Sequence, residues 1–552
     1  MLSMRTVMTN TTVIDGTGAP EYRAHVTLAA GRIESIDRAL TPADSSTDPS
    51  TDPGSDITTI DAAGLVLCPG FIDMHAHSDL QILVNPGHYA KLSQGVTTEV
   101  LGQDGLSYAP VSDETLAIIR TKIAGWNEDP QDFDFSWRTV GEYLDRLDQG
   151  IATNAAYLIP QGTLRALVCG FEPGPASPDQ IAAQQEIIRT AMEQGAVGMS
   201  SGLTYTPGMY ADYAELVALC RTVAEYGGFY APHHRSYGAG ALEAYEEMIQ
   251  LSKDSGCALH LTHATMNFAP NEGRAADLLS RIDQALVTGA DITLDTYPYL
   301  PGATTLSALL PRWASAGSNQ DTLARLADPQ LLARIQRDLE VTGSDGCHGV
   351  PVDWETIEIS GVRNPELDGH VGKTVARIAA EQNSSPFTIF TETLCLDQLA
   401  TGILQHVGHE DNVRAIMAHR THTGGSDGLL VGAKPHPRAW GTFPRFLAHY
   451  GRDLGLLPLT EMIHHLTGRP ARRLGLVDRG TVTVGLAADL VLFDPATIAD
   501  RATFSEPRRP ATGISHVFVN GVAAIADSLP TGALAGRALR RTSAGTAAQH
   551  AS

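Results

Sequence analysis

The segment Pro69–Asp79, which reads PGFIDMHAHSD, decides both the fold and the chemistry expected of this chain. It begins as an apolar run and ends with two histidines, His75 and His77, two positions apart. Alternate residues of an extended strand point to the same side, so the two imidazoles can share one metal ion. A lone pair of this kind is more often structural, but its place at the polar end of an apolar strand favours a metal site.

Seven further segments share this pattern, with an apolar start and a polar end. The stretches between them carry helical patterns rich in Ala, Leu and Glu, such as residues 177–195 and 213–228. Apolar strands that alternate with helices indicate a parallel sheet covered on the outside. Eight such units predict an α/β fold, the (β/α)8 TIM barrel, with its active site at the carboxyl ends of the strands. The predicted strands are residues 70–77, 96–103, 154–161, 196–203, 228–234, 258–264, 292–299 and 413–420, the last leading into 421–428.

Both ends of the chain carry short β-rich runs separated by turn residues. Residues 1–66 plus 476–540 predict one small β-sandwich built from both termini, with the barrel, residues 67–475, inserted between its halves. Residues 307–410 are too long for one connecting helix and predict a partly helical insertion between strands 7 and 8, beside the active-site mouth. Two segments have little apolar material to bury and predict an exposed mobile loop and a disordered tail: residues 40–57 and 541–552.

The composition narrows the classes of partner that the protein can have. Of the 552 residues, 39 are Lys or Arg and 62 are Asp or Glu, which gives a net charge of −23. This balance argues against nucleic-acid or anionic-membrane binding, because both need a basic surface. The chain shows no basic and apolar leader and no run of about 18 apolar residues, so we expect a cytoplasmic protein with reduced cysteines. Whether it forms homo-oligomers stays open.

Three other predicted strand ends carry metal-ligand residue types. His233 ends strand five, His263 ends strand six and Asp427 follows strand eight. Taken singly, each is more simply a hydrogen-bonded histidine or a turn aspartate. Together with the first pair, imidazoles plus a carboxylate form the ligand set of a catalytic centre of the Zn²⁺ type. A cation there lowers the pKa of a bound water, and a neighbouring carboxylate can take the proton.

Longer motifs connect the chain with a known family. From about residue 6 to residue 540 the sequence resembles the D-aminoacylases, the N-acyl-D-amino-acid deacylases of the amidohydrolase superfamily. The segment PHPRAWGTFPRFL, residues 435–447, is typical of that group rather than of the whole superfamily. The other matching segments are GVTTEVLGQDGLSYAP (95–110), SSGLTYTPG (200–208), FYAPHHR (229–235), LDTYPYLPGATTL (294–306), GSDG (425–428), GLAADLVLFDPATIAD (485–500) and VFVNG (517–521).

The resemblance implies zinc-dependent hydrolysis of the amide bond of an N-acyl-D-amino acid, with one or two Zn²⁺ ions. D-aminoacylases commonly have Asn-Cys-Gly after strand two, with the cysteine on zinc, whereas this chain has Asp104 at that place. Asp104 is predicted to be an oxygen ligand or a bridge between two ions; the alternative is a structural residue of a tight Asp-Gly turn. The ligands implied by the resemblance are His75, His77, His233, His263 and Asp427.

Asp427 is the predicted general base and acid, which takes the proton of the attacking water and passes it to the leaving amine. The rival role for Asp427 is ligation alone. Gln161 stands where the family commonly has a histidine, so it can polarise a carbonyl but cannot titrate; the alternative is a hydrogen bond that fixes its loop. Many relatives also carry a lysine shortly after the strand-six histidine, and this chain has His263-Ala264-Thr265-Met266 instead.

The amino-acid product has a carboxylate, which needs a cationic or hydroxyl partner in the pocket. Four residues near strand ends or in family-like segments are candidates for this partner, with structural salt bridges as the alternative for the arginines: Tyr205, Arg235, Tyr297 and Arg438.

Two other functions stay open at this point. An amidohydrolase with the same site could act on a cyclic amide, an isopeptide or a dipeptide. Strand four, residues 196–205, contains no lysine, which argues against the carboxylated-lysine bridge of the hydantoinases. A barrel that has lost catalysis and only binds a ligand ranks lower, because all four histidines and Asp427 are present. The acyl group, the preferred side chain and the number of metal ions are not fixed by the sequence.

Overall fold

Eight parallel strands form a barrel at the centre of the computed structural model, which describes residues 5–38 and 57–541. Each strand pairs in parallel with the next strand of the barrel. The first and last strands meet where the Asp427 N–H donates to the His75 carbonyl oxygen, at 2.8 Å. The predicted (β/α)8 barrel is therefore confirmed. Its strands are Phe71–Asp73, Val96–Leu101, Asn154–Pro160, Gly198–Gly202, Phe229–His233, Ala258–Leu261, Ile292–Thr296 and His422–Gly424.

Amphipathic helices cover the outside of the barrel. The helix Pro178–Glu193 begins with a capping box between Ser177 and Gln180 and buries Ile188 and Met192 against the strands. No helix within the described residues is long and apolar enough to cross a membrane. The barrel helices are Gln81–Val84, Tyr89–Leu92, Asp113–Lys122, Ala124–Asn127, Val140–Leu147, Gln161–Cys169, Pro178–Glu193, Tyr213–Glu225, Ala241–Ser255, Ala275–Val287, Glu410–Met417, Arg438–Arg445, Leu459–Leu466 and Gly468–Leu474.

The eighth strand lies later in the chain than its apolar run predicts. Residues 413–420 were expected to be a strand, but Glu410–Met417 is a helix and the strand is His422–Gly424. The helix begins with two acidic residues, which its N-terminus favours, and it buries Val413, Ile416 and Met417 at helical spacing. A short apolar run fits either structure, so periodicity over eight residues did not separate them.

The insertion between strands seven and eight is a small subdomain with its own core. Three antiparallel strands meet there, and the first of them begins before residue 307. Apolar side chains including Leu306, Ile359 and Phe390 fill its centre. The strands are Gly302–Thr305, Ile357–Gly361 and Gly402–Gln405, and the helices are Asn319–Ala327, Pro329–Arg337, Val375–Gln382 and Pro386–Leu396.

Strands from both ends of the chain combine in one nine-stranded sheet, which is the small β unit that the terminal runs predict. Alternate residues of its central strands enter two different cores: Leu67 and Leu490 pack inside the β unit, whereas Cys68 and Val491 pack toward the barrel. The strands are Arg5–Val13, Tyr22–Ala29, Arg32–Asp37, Ile57–Asp61, Val66–Pro69, Leu490–Phe493, Ile514–Val519, Val522–Ala526 and Leu529–Pro530.

Two predicted segments fall largely on residues that the structure does not describe. Most of the loop predicted at residues 40–57 and all but the first residue of the tail predicted at 541–552 lie outside the described residues. Both therefore stay predictions.

A buried carboxylate connects the terminal sheet with the barrel. Asp489 pairs with the guanidinium of Arg479 and accepts hydrogen bonds from the Asn520 backbone N–H at 2.6 Å and from the Asn154 side-chain amide at 3.0 Å. Asn154 is the first residue of the third barrel strand. Arg479 and Asp489 are 3% and 4% exposed, so neither charge has water as a substitute partner.

Replacing Asp489 with alanine is expected to lower the free energy of unfolding by about 1–3 kcal/mol. The Asn520 N–H and the Asn154 side-chain amide would lose their buried acceptor, and Arg479 would keep only its pair with Asp478. Thermal unfolding followed by circular dichroism measures the effect. Asp145→Ala is the matched control, because that carboxylate pairs with Arg540 at the surface and its side chain is 75% exposed. Equal thermal midpoints for the two variants would contradict the role assigned to Asp489.

Candidate metal centre

Six side chains from five barrel strands meet at the carboxyl end of the barrel. His75 and His77 follow the first strand, and Asp104 lies in the short turn Gln103–Gly105 that follows the second. The remaining three come from strands five, six and eight, and all six are at most 8% exposed. The structure thus brings together every residue that the sequence suggested as a metal ligand: His75, His77, Asp104, His233, His263 and Asp427.

Four of these residues form a first donor group. The Nε2 atoms of His75 and His77 lie 3.3 Å apart. The two carboxylate oxygens of Asp104 lie 3.5 Å from these nitrogens, Oδ1 from His75 and Oδ2 from His77. Asp427 Oδ1 lies 3.2 Å from His77 Nε2 and completes the group.

A second donor group shares Asp104 with the first. His233 Nδ1 and His263 Nε2 lie 3.1 Å apart. Asp104 Oδ2 is 3.5 Å from His233 Nδ1, and Asp104 Oδ1 is 3.4 Å from His263 Nε2. The carboxylate of Asp104 is therefore surrounded by four imidazoles and is the only residue common to both groups.

These separations fit metal coordination. Nitrogen and oxygen ligands about 2.0–2.2 Å from a tetrahedral ion lie about 3.3–3.6 Å from each other. The donor pairs described above lie 3.1–3.5 Å apart, close to that range. Asp104 Oδ1 is buried and has no hydrogen-bond partner among the residues that the structure describes, and a bound cation would supply the missing partner. Although burial opposes protonation, Asp104 and Asp427 raise the pKa of His77 to about 10, so the two carboxylates create a strong demand for positive charge. The geometry fits two adjacent cations bridged by Asp104.

The backbone around Asp104 explains how its carboxylate reaches the centre. Asp104 has a φ of +53°, and the preceding Gly102 has a φ of +77°. A Cβ at Gly102 would lie 2.1 Å from the carbonyl oxygen of Leu158, so only glycine fits there. The turn passes close to the neighbouring strands, and the Asp104 side chain points at the imidazoles.

Buried carboxylates behind the centre hold the histidines. Asp295 Oδ1 accepts from the backbone N–H of His263 at 2.9 Å, and its Oδ2 lies 3.7 Å from His75 Nδ1. Asp73 accepts from the backbone N–H of His75 at 3.2 Å and pairs with Lys91 at 2.6 Å. Such outer contacts fix the orientation of ligand rings.

Asp427 has a second partner besides the histidines. Its Oδ2 lies 3.0 Å from Arg438 Nη2, and the Arg438 guanidinium stacks on the ring of Tyr297 at 4.4 Å. Burial alone would favour the protonated carboxyl, but Arg438 and the hydrogen bond to His77 hold the pKa of Asp427 well below its usual range. Asp427 is therefore a carboxylate at neutral pH.

A cleft of about 660 Å³, partly open to solvent, adjoins the donor groups and separates them from the insertion. Two of the predicted substrate-binding residues, Tyr205 and Tyr297, line it together with Asp427. The Tyr205 hydroxyl lies 3.2 Å from Thr304 Oγ1 on the first strand of the insertion. Arg438 packs behind Tyr297 at the edge of the cleft.

The structure does not bring Arg235 and Gln161 to this cleft. The Arg235 guanidinium pairs with Glu247 at 3.0 Å and donates to two backbone carbonyls. Gln161 begins the helix that follows the third strand. In the described part of the chain, neither the oxygen nor the nitrogen of its buried side-chain amide has a hydrogen-bond partner. The pair between Arg235 and Glu247 is the structural salt bridge that the sequence analysis gave as the alternative to substrate binding.

Two residues of the cleft were missed by the sequence analysis. Tyr237 lies between the rings of His233 and His263, at 4.9 Å and 5.2 Å, and it follows the histidine pair by only three positions. His348 comes from the insertion and lies 5.5 Å from Tyr237. Burial, helped by the nearby His233, lowers the pKa of His348 to about 3, so this imidazole is neutral. No periodic pattern marks His348, whereas proximity to the strand-five end could have indicated Tyr237.

Comparison with known proteins supports the same interpretation. Residues 58–525 match the model of the Amidohydrolase family. The chain is 34% identical to the D-aminoacylase of Alcaligenes xylosoxydans xylosoxydans over 97% of both chains. It is also 34% identical to the N-acyl-D-glutamate deacylase of the same organism, over 96% of this chain and 95% of that protein.

A solved structure shows the same architecture with a metal. The N-acyl-D-glutamate deacylase of Bordetella bronchiseptica, complexed with zinc and a phosphonate inhibitor that mimics the tetrahedral intermediate, superposes with a TM-score of 0.80. The two sequences are 31% identical over 97% of this chain and 99% of that one.

Replacing Asp104 with asparagine is expected to lower the metal content of the purified protein to less than half, because both donor groups lose a shared anionic oxygen. Elemental analysis by inductively coupled plasma mass spectrometry after gel filtration measures the ratio of metal to protein. His348→Ala is the control, since it removes a cleft histidine that belongs to neither donor group. An unchanged metal content in Asp104→Asn would show that this residue is only a turn residue.

Proposed function

The chain belongs to the amidohydrolase family, and on that premise we propose that it is a zinc-dependent deacylase that hydrolyses N-acyl-D-amino acids to a carboxylate and a free D-amino acid. One observation carries the proposal. The two donor groups open on a cleft whose edge holds an ionised carboxylate, Asp427, backed by an arginine. The relatives named as D-aminoacylase and as deacylases act on linear amides. This favours a linear amide as the substrate over the cyclic amides that the sequence left open.

Four histidines and two aspartates supply the place for one or two Zn²⁺ ions, with Asp104 as the shared ligand. When bound, zinc would polarise the acyl carbonyl and lower the pKa of a water molecule. Replacing the usual cysteine by a carboxylate gives a harder ligand and makes the two halves of the site more alike in chemistry. We therefore expect the affinities of this centre for its two ions to differ less than those of a centre that contains the cysteine.

Asp427 is the residue that moves the proton. Its Oδ1 faces the first donor group and its Oδ2 is held by Arg438, so the carboxylate keeps one orientation. Its lowered pKa keeps Asp427 ionised at neutral pH, so the carboxylate is in the form that can accept a proton from the attacking water. The protonated acid that results lies beside the cleft, where it can protonate the nitrogen of the leaving amine.

Arg438 and Tyr297 are the residues that we assign to the α-carboxylate of the substrate. The Nε and Nη1 atoms of Arg438 have no hydrogen-bond partner among the described residues, and Tyr297 lines the cleft next to it. A guanidinium with free donors suits a carboxylate, and Thr265 offers no charge at the position where relatives often carry a lysine. Tyr205 narrows the opposite side of the cleft.

The cleft favours a substrate with an uncharged side chain. Among the described residues that line it, none is a lysine or an arginine. Phe268, Leu309 and Val407 line both this cleft and a second, adjoining pocket in the insertion. A side-chain carboxylate placed against these apolar residues would lose water without gaining a cationic partner, unlike the α-carboxylate assigned to Arg438. The proposed substrates therefore carry neutral, mainly apolar groups.

Replacing Asp427 with asparagine is expected to lower kcat by at least about a hundredfold while most of the metal stays bound, because asparagine keeps an oxygen donor but cannot accept the proton. Hydrolysis of N-acetyl-D-leucine and elemental analysis of the same sample measure both effects. His348→Ala serves as the cleft control. Turnover near the wild-type value would show that Asp427 acts as a ligand alone.

The wild-type enzyme is expected to hydrolyse N-acetyl-D-glutamine with a kcat/KM at least about tenfold higher than N-acetyl-D-glutamate, which has the same shape but a charged side chain. Release of the free amino acid measures both rates. N-acetyl-L-glutamine tests the stereochemistry in the same assay. Equal rates for the neutral and charged substrates would contradict the proposed cleft chemistry, and a preference for the L-enantiomer would overturn the proposed substrate class.

A further inference from the structure

A second large pocket lies at the opposite end of the barrel from the metal centre. Its floor is formed where strands five, six and seven begin, at Phe229, Ala258 and Ile292, and just before strand eight, at Thr421. The catalytic residues lie at the other ends of the same strands. The pocket contains about 1020 Å³ of empty space, part of it open to solvent, and shares no lining residue with the catalytic cleft.

Arginines dominate the walls of this pocket. The lining includes one histidine, His464, and a single carboxylate, Asp291, against five guanidinium groups. This concentration of positive charge stands out in a chain whose net charge is −23. The five arginines, three of which come from the helix Gly468–Leu474, are Arg420, Arg469, Arg472, Arg473 and Arg541.

Three of the arginines already have carboxylate partners. Arg473 pairs with Asp291, Arg469 pairs with Glu461 at 2.8 Å, and Arg420 pairs with Asp283 at 2.8 Å. These pairs hold the three side chains in place around the pocket.

Arg472 and Arg541 have no carboxylate partner among the described residues. Arg472 Nη2 contacts the ring nitrogen of His464 at 3.1 Å. Within the described part of the chain, the Arg541 guanidinium donates from Nε to the Tyr226 carbonyl oxygen at 3.2 Å and from no other atom. Burial and the neighbouring Arg473 lower the pKa of Arg541, which reports the positive potential at that position. The Nη donors of Arg541 are left for an incoming anion.

We propose that this pocket, which we call the basal pocket, binds a small phosphate-bearing anion between Arg472 and Arg541. Guanidinium groups bind phosphate oxygens through paired N–H donors, and two guanidiniums without a carboxylate partner among the described residues match the charge of a phosphate dianion. The space is larger than inorganic phosphate needs, which favours a phosphate monoester over the free ion. The inference is independent of the proposed hydrolytic function, because none of its residues touches the metal centre.

Isothermal titration calorimetry of the metal-loaded, full-length protein with adenosine 5′-monophosphate and with inorganic phosphate tests the proposal. We expect saturable binding of the monophosphate, tighter than that of inorganic phosphate, and at least about tenfold weaker binding in the variant Arg472→Gln/Arg541→Gln. The two single variants should each show part of the loss. Arg377→Gln, which changes an exposed arginine of the insertion, is the control and should bind as the wild type does.

The outcomes separate the alternatives. Hydrolysis of N-acetyl-D-leucine and the thermal midpoint should stay unchanged in the double variant, which shows that lost binding reflects the pocket and not the fold. Monophosphate binding that is equal in wild type and double variant does not depend on the basal pocket and overturns the proposal. Binding that appears only after removal of residues 542–552 also overturns it, because the chain's own tail would then be the occupant.

Discussion

The sharing of one carboxylate by four imidazoles is the constraint on which the rest of the site depends. Asp104 lies 3.4–3.5 Å from ring nitrogens of His75, His77, His233 and His263, which come from strands on different parts of the barrel. Only a closed barrel brings those strand ends within reach of one side chain. The hydrogen bond from the Asp427 N–H to the His75 carbonyl oxygen, which joins the last strand to the first, therefore also places Asp427 at the centre.

Burying so many ionisable groups costs folding free energy unless each group has a partner. In this structure, cationic side chains behind the centre pair with its buried carboxylates. Arg438 neutralises Asp427 on the side away from the histidines, and Lys91 neutralises Asp73 behind the first strand. Asp104 differs from these carboxylates, because its Oδ1 has no hydrogen-bond partner within residues 5–38 and 57–541. A centre built in this way is completed by a cation, so metal binding and the stability of the barrel mouth are linked.

The barrel and five of the candidate ligands could be predicted because their signals are local: apolar strands followed by polar ends that carry histidines or an aspartate. Asp104 was suggested only by the family resemblance, because it stands where relatives commonly have a cysteine. The helix Glu410–Met417 was predicted wrongly as a strand because a short apolar run fits both structures. The sequence suggested Arg235 as a binding partner for the substrate carboxylate. The structure shows that Arg235 pairs with Glu247 instead, a contact that the sequence pattern does not reveal. His348 could not be predicted, because its position depends on how the insertion packs across the cleft, where the Ala239 N–H donates to the His348 carbonyl oxygen at 2.9 Å.

The residues that the sequence predicts and those that it does not predict belong to different parts of the molecule. The strand ends carry the residues for the reaction, whereas one wall of the cleft comes from the insertion, through Leu309, His348 and Gln405. Changes in the insertion can therefore alter which acyl-amino acid fits without disturbing the donors, since the two parts have separate hydrophobic cores. Such an arrangement permits relatives with different substrates. The relatives named as D-aminoacylase and as deacylases align with this chain over almost their whole length and are named for different substrates. The apolar residues of this cleft and the absence of lysine and arginine from its described lining, rather than the metal ligands, are thus the features that should set its selectivity.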